Sequence, residues 1–189
     1  MSKTDPIRDK KQLRQLAGYW LERNNYRNYT LIVLGVCTAL RTGDLLRLAW
    51  EDVYNEKCGM FRSHITITEM KTMKKRTIAL NAQAIAALTL LYPHRRGSCI
   101  FANNRIEDCP ISRIQAWRVV KTAAASSGLT GCISTHSLRK SFGYFAYKSG
   151  VLPVLLMDLY NHTSFEVTRR YLGIAQDDRD KVYLNMALF

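Results

Sequence analysis

Apolar residues recur at intervals of three and four positions along most of this 189-residue chain, and this helical spacing restricts its fold more than any other feature. β-Branched residues at strand-like spacing are confined to residues 64–68 and 77–80, on either side of a basic turn at 71–76. The pattern predicts a mainly α fold with a small antiparallel β-element, in the α+β class. Without repeats, low-complexity stretches or proline-rich linkers, residues 1–189 are expected to form a single domain.

The helical spacing also predicts where the individual helices lie. The predicted ranges are 12–23, 29–40, 45–48, 82–91, 112–127, 135–149, 153–160, 164–172 and a last helix from about residue 177 to the end. Thr42-Gly43-Asp44 is expected to interrupt the helical pattern after residue 40, because glycine ends a helix easily and threonine or aspartate caps the next one. Arg41 is therefore expected at a helix junction.

The chain is strongly basic, with 28 Lys and Arg residues against 15 Asp and Glu residues and a formal net charge of +13 at pH 7. Such an excess attracts polyanions, and nucleic acid is the expected partner. An anionic membrane surface is the alternative. The positive charges are spread along the sequence, however, and do not form one face of an amphipathic helix opposite a Trp or Phe face. We therefore expect nucleic acid and no membrane.

The cysteines and the apolar segments indicate the compartment. The five cysteines are Cys37, Cys58, Cys99, Cys109 and Cys132. They are odd in number and scattered, with neither zinc-site spacing nor a disulfide framework, so they are interpreted as reduced thiols. Residues 1–11 contain no apolar signal core, and the longest apolar run, residues 31–40, is too short to span a bilayer. A cytoplasmic location is expected.

Three basic side chains fall on one face of the helix predicted from residue 135. In ideal helical geometry His136, Arg139 and Lys140 share that face. The opposite face is apolar and contains Leu138, Phe142, Phe145 and Ala146. The basic stripe is either a solvated face, which is common on a basic protein, or part of a phosphate-binding site.

A second pattern lies close to the C-terminus. Thr163 and Glu166 have the spacing of a capping box, so a helix is expected to begin directly after His162 and to end near Gly173. His162 is then at a helix N-terminus, where free N–H groups favour a phosphate, or it simply caps or packs. Tyr171 follows nine positions later. A continuous helix would separate the two Cα atoms by roughly 13 Å, so we expect this helix to end early or to move.

These patterns combine with two others into one ordered set. The set consists of Arg41-Thr42-Gly43-Asp44, Lys71-Thr72, His136-x-x-Arg139, His162 and Tyr171. In identity, order and spacing it resembles the signature of the tyrosine recombinases, the phage integrase family. The resemblance covers nearly the whole chain and implies the fold of a tyrosine recombinase catalytic domain. Family members usually carry a helical core-binding domain before the catalytic one. That domain is expected to be absent here, either because this is a minimal recombinase or because the sequence is part of a longer protein.

Three positions depart from the usual form of this signature. Asp44 stands where the family more often has Glu, Asn161 stands where Gly is usual, and Lys140 stands where His is common. Each departure retains polarity or charge sign, so the signature is expected to tolerate all three.

The resemblance implies a site-specific recombinase that integrates, excises or inverts DNA through a 3′-phosphotyrosine intermediate. Arg41 and Arg139 would bind the nonbridging oxygens and offset the charge of the transition state, while His162 adds a hydrogen bond. Tyr171 would be the nucleophile. Because the phosphotyrosine conserves the energy of the broken bond, no cofactor or metal is expected.

The remaining roles concern protons. The resemblance assigns the proton of the leaving 5′-hydroxyl to Lys71, and makes His136 the acid/base partner of the tyrosine hydroxyl. Lys74, three residues on, could reach the same oxygen, and this alternative stays open. Asp44 is expected to orient an arginine. The competing interpretation makes Asp44 only an N-cap, and Arg41 only a favourable charge at a helix C-terminus.

The other basic residues near these motifs are candidate DNA contacts. They are Lys74, Lys75, Arg76, Lys140, Arg169 and Arg170. The implied partners are double-stranded DNA, three further copies in a homotetramer on DNA, and accessory DNA-bending proteins. A bacterial or phage-encoded, nucleoid-associated protein is expected. Two alternatives remain: a regulator that keeps the fold but not the chemistry, and an enzyme resembling type IB topoisomerases.

Overall fold

The computed structural model describes residues 4–106, 108–174, 183–184 and 186. Two compact units are present, residues 1–142 and 143–189, and the division between them falls within one helix, Thr135–Lys148. A single domain over residues 1–189 stays a prediction. Apart from residues 183, 184 and 186, the last predicted helix lies outside the described residues.

The first unit contains most of the secondary structure. Its elements are α1 (Lys10–Leu21), α2 (Tyr26–Cys37), α3 (Thr42–Leu46), α4 (Trp50–Val53), β1 (Tyr54–Asn55), β2 (Met60–Phe61), β3 (His64–Thr68), β4 (Lys75–Ala79), α5 (Ala82–Leu91), a 3-10 turn (Tyr92–His94) and α6 (Arg113–Ser126). Helix α7 (Thr135–Lys148) continues into the second unit, which also contains α8 (Pro153–Tyr160) and α9 (Phe165–Leu172). The predicted mainly α fold with a small antiparallel β-element is confirmed.

Strands β3 and β4 form the predicted hairpin. They are antiparallel, with His64 opposite Ala79 and Thr68 opposite Lys75. Strands β1 and β2 form a second antiparallel pair that the sequence did not predict. Each of these two strands has only two residues, which is too short for an alternating pattern to appear.

The end of α2 differs from the prediction. The helix ends at Cys37, and Ala39 has a left-handed φ of 51°. The hydroxyl of Thr38 donates to the carbonyl of Leu34 at 2.7 Å, which closes the last turn. The prediction that Thr42-Gly43-Asp44 interrupts the helices is also wrong, because these three residues form the first turn of α3.

The core of the first unit surrounds α2, which packs against both α1 and α5. Its fully buried side chains include Leu16 of α1, Leu31 and Leu34 of α2, and Leu88 of α5. The hydroxyl of Thr30 donates to the carbonyl of Ala87 at 2.9 Å and joins α2 to α5. This core fixes the position of the α2–α3 junction, where Arg41 lies.

The structure can be compared with the predictions made for the cysteines and for the apolar segments. All five cysteines are free thiols in the structure. Among the helices of the described residues, none has the length and apolar character needed to cross a membrane.

Helix α2 lies close to α7 at Gly35. A Cβ atom at this position would lie 2.7 Å from Cδ1 and 3.3 Å from Cβ of Leu138, which is itself buried. We expect Gly35→Ala to lower the free energy of unfolding by about 1–3 kcal/mol, because the added methyl overpacks a filled core. Urea unfolding followed by circular dichroism measures this change.

Gly18 provides the control. It also lies within a helix, but a Cβ atom there would meet only Glu22 Oε1, at 4.0 Å. Gly18→Ala should therefore stabilise the chain by about 0.5–1 kcal/mol through helix propensity. Stabilisation by both substitutions would show that the α2–α7 contact is not tightly packed.

Candidate active site

A cleft of about 640 Å³ opens in the first unit where α3, the β3–β4 turn, α6 and the start of α7 meet. Its lining residues are Arg41, Thr42, Gly43, Asp44, Met70, Lys71, Arg113, Ile114, Trp117, Thr135 and His136. The cleft therefore brings together three of the predicted catalytic residues, Arg41, Lys71 and His136. Their roles stay predictions.

Arg41 enters the cleft from the residue directly before α3. Its Nη1 lies 2.7 Å from Oε2 of Glu69, a carboxylate that is 1% exposed at the end of β3. The Arg41 side chain itself is 22% exposed. The guanidinium is thus anchored on one side while part of it still faces solvent.

Glu69 is surrounded by donors. The Thr72 hydroxyl donates to its Oε2 at 2.7 Å, and Arg76 Nη1 lies 3.4 Å from its Oε1. Burial alone would raise the pKa of Glu69, but the hydrogen bonds from Thr72 and Arg41 and the charges of Arg41 and Arg76 bring it below its ordinary value. At neutral pH this carboxylate is therefore ionised although it is buried.

Asp44 has a different partner from the predicted arginine. Its Oδ1 accepts a hydrogen bond from the backbone N–H of Met70 at 2.9 Å, so it connects α3 to the β3–β4 turn. Its Oδ2 is buried with no hydrogen-bond partner among the described residues. The carboxylate that pairs with Arg41 is that of Glu69, and a role for Asp44 in orienting an arginine stays a prediction.

The β3–β4 turn presents the lysines predicted for it. The turn closes through a hydrogen bond from the Glu69 N–H to the Lys74 carbonyl at 3.0 Å. Lys71, Lys74 and Lys75 are all exposed, and of these three only Lys71 lines the cleft. Arg76, a candidate DNA contact, points to Glu69 and has a side chain that is 14% exposed.

Arg139 is buried, with 4% exposure. Its Nη1 donates to the carbonyl of Ala39, the residue with the left-handed φ beyond the end of α2. Because Arg41 follows Ala39 by two positions, this hydrogen bond ties the helix that carries Arg139 to the segment that carries Arg41.

Lys140 does not belong to a solvated stripe. It is 6% exposed, and its Nζ donates to the carbonyl of Thr4 at 2.6 Å in the N-terminal segment. Burial lowers the pKa of Lys140, although the neighbouring Asp5 and Cys132 act in the opposite direction. The prediction that Lys140 contacts DNA does not fit this placement, since helical spacing alone cannot show that α7 is covered on both sides.

His136 is the one exposed member of the predicted α7 stripe. Partial burial of its ring, together with the positive charges of Arg139, Lys140, Arg113 and Arg41, lowers the pKa of His136 below its ordinary value. The imidazole is therefore neutral at neutral pH and can accept a proton.

In the second unit, two helix ends position His162 and Tyr171. Asn161 has a left-handed φ of 53°, and the His162 N–H donates to the Met157 carbonyl at 2.9 Å, as in a Schellman motif. Asparagine tolerates this conformation better than most residues, which accounts for its presence where glycine is usual. Gly173 ends α9 in the same way, with a φ of 67°, as predicted.

Helix α9 begins later than predicted. Its N-cap is Ser164, whose hydroxyl accepts from the Val167 N–H at 3.3 Å, and the predicted cap Thr163 lies outside the helix. His162 is consequently not part of α9. The centroids of the His162 and Tyr171 rings are nevertheless 5.3 Å apart. Helix α9 continues past Tyr171 to Leu172, so the prediction that it ends early is wrong.

An aromatic cluster holds these two rings. Tyr160, which is 1% exposed, stacks on His162 at 5.6 Å and contacts Tyr171 at 5.2 Å between centroids. The Nδ1 atom of His162 lies 3.0 Å from the hydroxyl of Thr168, a buried residue of α9. The second unit thus fixes the mutual orientation of its two predicted site residues.

The two arginines of α9 were predicted to contact DNA. Arg170 Nη2 lies 2.9 Å from Oε1 of Glu166, one turn earlier, and both side chains are more than half exposed. Arg169 is partly buried. DNA contact by either residue stays a prediction.

The sequence interpretation missed Glu69, Arg113 and Trp117. A signal for Glu69 was present, because period-two spacing places it on the same face as Ile65 and Ile67. A carboxylate on an apolar face requires a buried partner.

Gly43 also has a role that was missed: a Cβ atom there would lie 2.6 Å from Arg113 Nη2, so this glycine makes room for an arginine.

Solved structures of recombinases and integrases share this fold. The chain aligns with the XerA recombinase over 100% of its own length and 67% of that chain, with a TM-score of 0.77 and 16% identity. It aligns with the XerH site-specific recombinase bound to palindromic difH substrate over 94% of its length and 51% of that chain, with a TM-score of 0.76 and 19% identity. The fold is that of a tyrosine recombinase catalytic domain.

Comparison with sequence relatives identifies the family as well as the fold. The phage integrase family model matches residues 8–177, and the chain belongs to this family of tyrosine recombinases. It is 36% identical over 180 residues to the probable integrase/recombinase YoeC of Bacillus subtilis, covering 94% of each protein. It is 23% identical over 168 residues to the tyrosine recombinase XerD of Staphylococcus saprophyticus, covering 85% of this chain but only about half, 54%, of that protein.

The environment of His136 leads to a prediction about its titration. Arg113 is one of the cations that lower the pKa of His136, so Arg113→Gln should raise that pKa toward its ordinary value. The titration of the His136 ring protons by NMR measures the change, with His136→Asn used for assignment.

Arg118→Gln serves as the matched control. Arg118 lies on the same helix but does not line the cleft, and its removal should leave the titration of His136 unchanged. Equal shifts in both variants would mean that net charge, and not the local placement of Arg113, sets the pKa.

Proposed function

We propose that this chain cleaves and rejoins DNA strands through a 3′-phosphotyrosine formed on Tyr171. The observation that carries the proposal is the cleft in which Arg41, Lys71 and His136 meet, in a member of the phage integrase family. Each of the three supplies a function that phosphoryl transfer needs. Arg41 provides N–H groups that bind phosphate oxygens, Lys71 provides a proton donor and His136 provides a proton acceptor.

Phosphate binding is assigned to the arginines. A guanidinium has five N–H donors, and the ion pair with Glu69 engages Arg41 mainly through Nη1. Arg41 can therefore bind a nonbridging phosphate oxygen while it stays anchored. Arg139 shares this role by resemblance, and Arg113 adds positive charge to the same cleft. His162 contributes a further hydrogen bond to the phosphate.

The covalent step balances without a cofactor. The Tyr171 oxygen attacks phosphorus, the bond between phosphorus and the 5′-oxygen breaks, and the phosphate stays attached to the 3′-oxygen. The phenolic proton passes to His136, whose lowered pKa keeps it neutral and able to accept. The 5′-oxygen takes its proton from Lys71. Rejoining reverses these transfers.

Double-stranded DNA is the proposed substrate, and a homotetramer assisted by DNA-bending proteins is the proposed assembly. Among relatives of this fold, XerH is bound to difH substrate and a λ integrase dimer is bound to a COC′ core site. The presence of Tyr171 disfavours a regulator without catalysis. A topoisomerase-like activity is distinguished by relaxation of supercoiled DNA without exchange between two sites.

The central test is covalent capture. Nicked duplexes of randomised sequence are incubated with the protein, protein-bound strands are selected in denaturant, and the modified peptide is mapped by mass spectrometry. We expect the adduct on Tyr171. Tyr171→Phe should abolish it while DNA affinity changes little, because the ring that packs on Tyr160 is retained and only the hydroxyl is lost. An adduct on another residue, or one that persists in Tyr171→Phe, would contradict the mechanism.

The choice between Lys71 and Lys74 has its own test. Sulfur at the bridging 5′ position makes a leaving group that needs little protonation, so it should bypass the loss of the general acid. Lys71→Ala should slow cleavage of ordinary DNA by about 10²–10⁴-fold and be largely rescued by sulfur. Lys74→Ala is the control, since Lys74 does not line the cleft. Rescue of Lys74→Ala instead would transfer the role to Lys74.

A further inference from the structure

We propose that Glu69 is the positioning residue of this site, fixing Arg41 and the Lys71 turn relative to each other through one buried carboxylate. The inference rests on the proposed function, because it assigns Glu69 a role in phosphate binding and leaving-group protonation. Glu69 does not line the cleft and acts through its neighbours.

One oxygen atom makes the connection. Oε2 of Glu69 lies 2.7 Å from Arg41 Nη1 and accepts the Thr72 hydroxyl at 2.7 Å. Thr72 directly follows Lys71, and Glu69 precedes Lys71 by two positions. Lys71 therefore lies inside a short loop whose two sides are joined through the same carboxylate that holds Arg41.

The backbone of Glu69 adds to this restraint. Its N–H donates to the Lys74 carbonyl at 3.0 Å, and its carbonyl accepts from the Met73 N–H at 2.9 Å. Asp44 fixes the same turn from α3 through the Met70 N–H. The turn is thus attached at its base, while the Lys71 side chain extends into the exposed cleft.

The negative charge is essential to this arrangement. A carboxylate is an acceptor at both oxygens, and here it accepts hydrogen bonds from Thr72 and Arg76 and forms an ion pair with Arg41. A glutamine has the same shape but offers one acceptor oxygen and an NH₂ group, which would oppose one of the arginines. Removing the charge also leaves two cations beside a site from which water is largely excluded. Glu69→Gln should therefore release either Arg41 or the turn.

The test compares cleavage of two versions of one captured duplex, with oxygen or sulfur at the bridging 5′ position. We expect Glu69→Gln to slow cleavage of the oxygen substrate by about 100-fold or more in single turnover. On the sulfur substrate the loss should be at least about tenfold smaller, because Lys71 is then not needed, but not zero, because Arg41 is also displaced.

Thr72→Val separates the two effects. It removes the hydrogen bond between the turn and Glu69 but leaves the ion pair with Arg41. Its loss of cleavage should be restored almost completely by sulfur. Glu51→Gln, at an exposed glutamate of α4, is the control and should cleave both substrates within about twofold of the wild-type rate.

Each outcome decides the proposal. If wild-type protein forms no adduct, the proposed function fails and the role of Glu69 fails with it. If wild-type protein cleaves and Glu69→Gln is equally active, only the role of Glu69 is overturned. Equal losses on both substrates would show a merely structural role. Circular dichroism monitors folding, and if Glu69→Gln does not fold, Thr72→Val decides, since full rescue by sulfur supports the proposal and no loss overturns it.

Discussion

The cleft of this protein depends on a negative charge that water does not reach. Glu69 is buried at the end of β3, and a carboxylate in such a place must be paired or neutralised. Thr72, Arg41 and Arg76 pair with it, and they join a strand end, a helix start and a hairpin turn. The geometry of the candidate active site follows from satisfying this one group.

Much of the fold could be predicted from periodicity. Helices α5 and α8 and strand β3 have the predicted bounds, because their apolar residues recur over enough positions for the period to be recognised. The junction after α2 could not be predicted in this way. There, the hydroxyl of Thr38 ends the helix and Gly43 makes room for Arg113, so the reasons are individual contacts.

The candidate site shows the same division. Motif order identified Arg41, Lys71 and His136, which line one cleft. It could not show that Lys140 is buried or that the carboxylate on Arg41 belongs to Glu69, because both facts depend on segments distant in sequence. A net charge calculated from the sequence includes every cation, but it does not show which of them are exposed and can bind a polyanion.

The segment from Asn161 to Gly173, which contains α9, limits how this chain can vary in length. Both ends of the interval are set by left-handed residues, Asn161 and Gly173, and α9 contains eight residues, Phe165–Leu172. One inserted residue would turn every later side chain by about 100° and advance it by about 1.5 Å. The tyrosine would then leave the face that packs on Tyr160. Insertions and deletions among relatives should therefore accumulate in surface loops and avoid this interval.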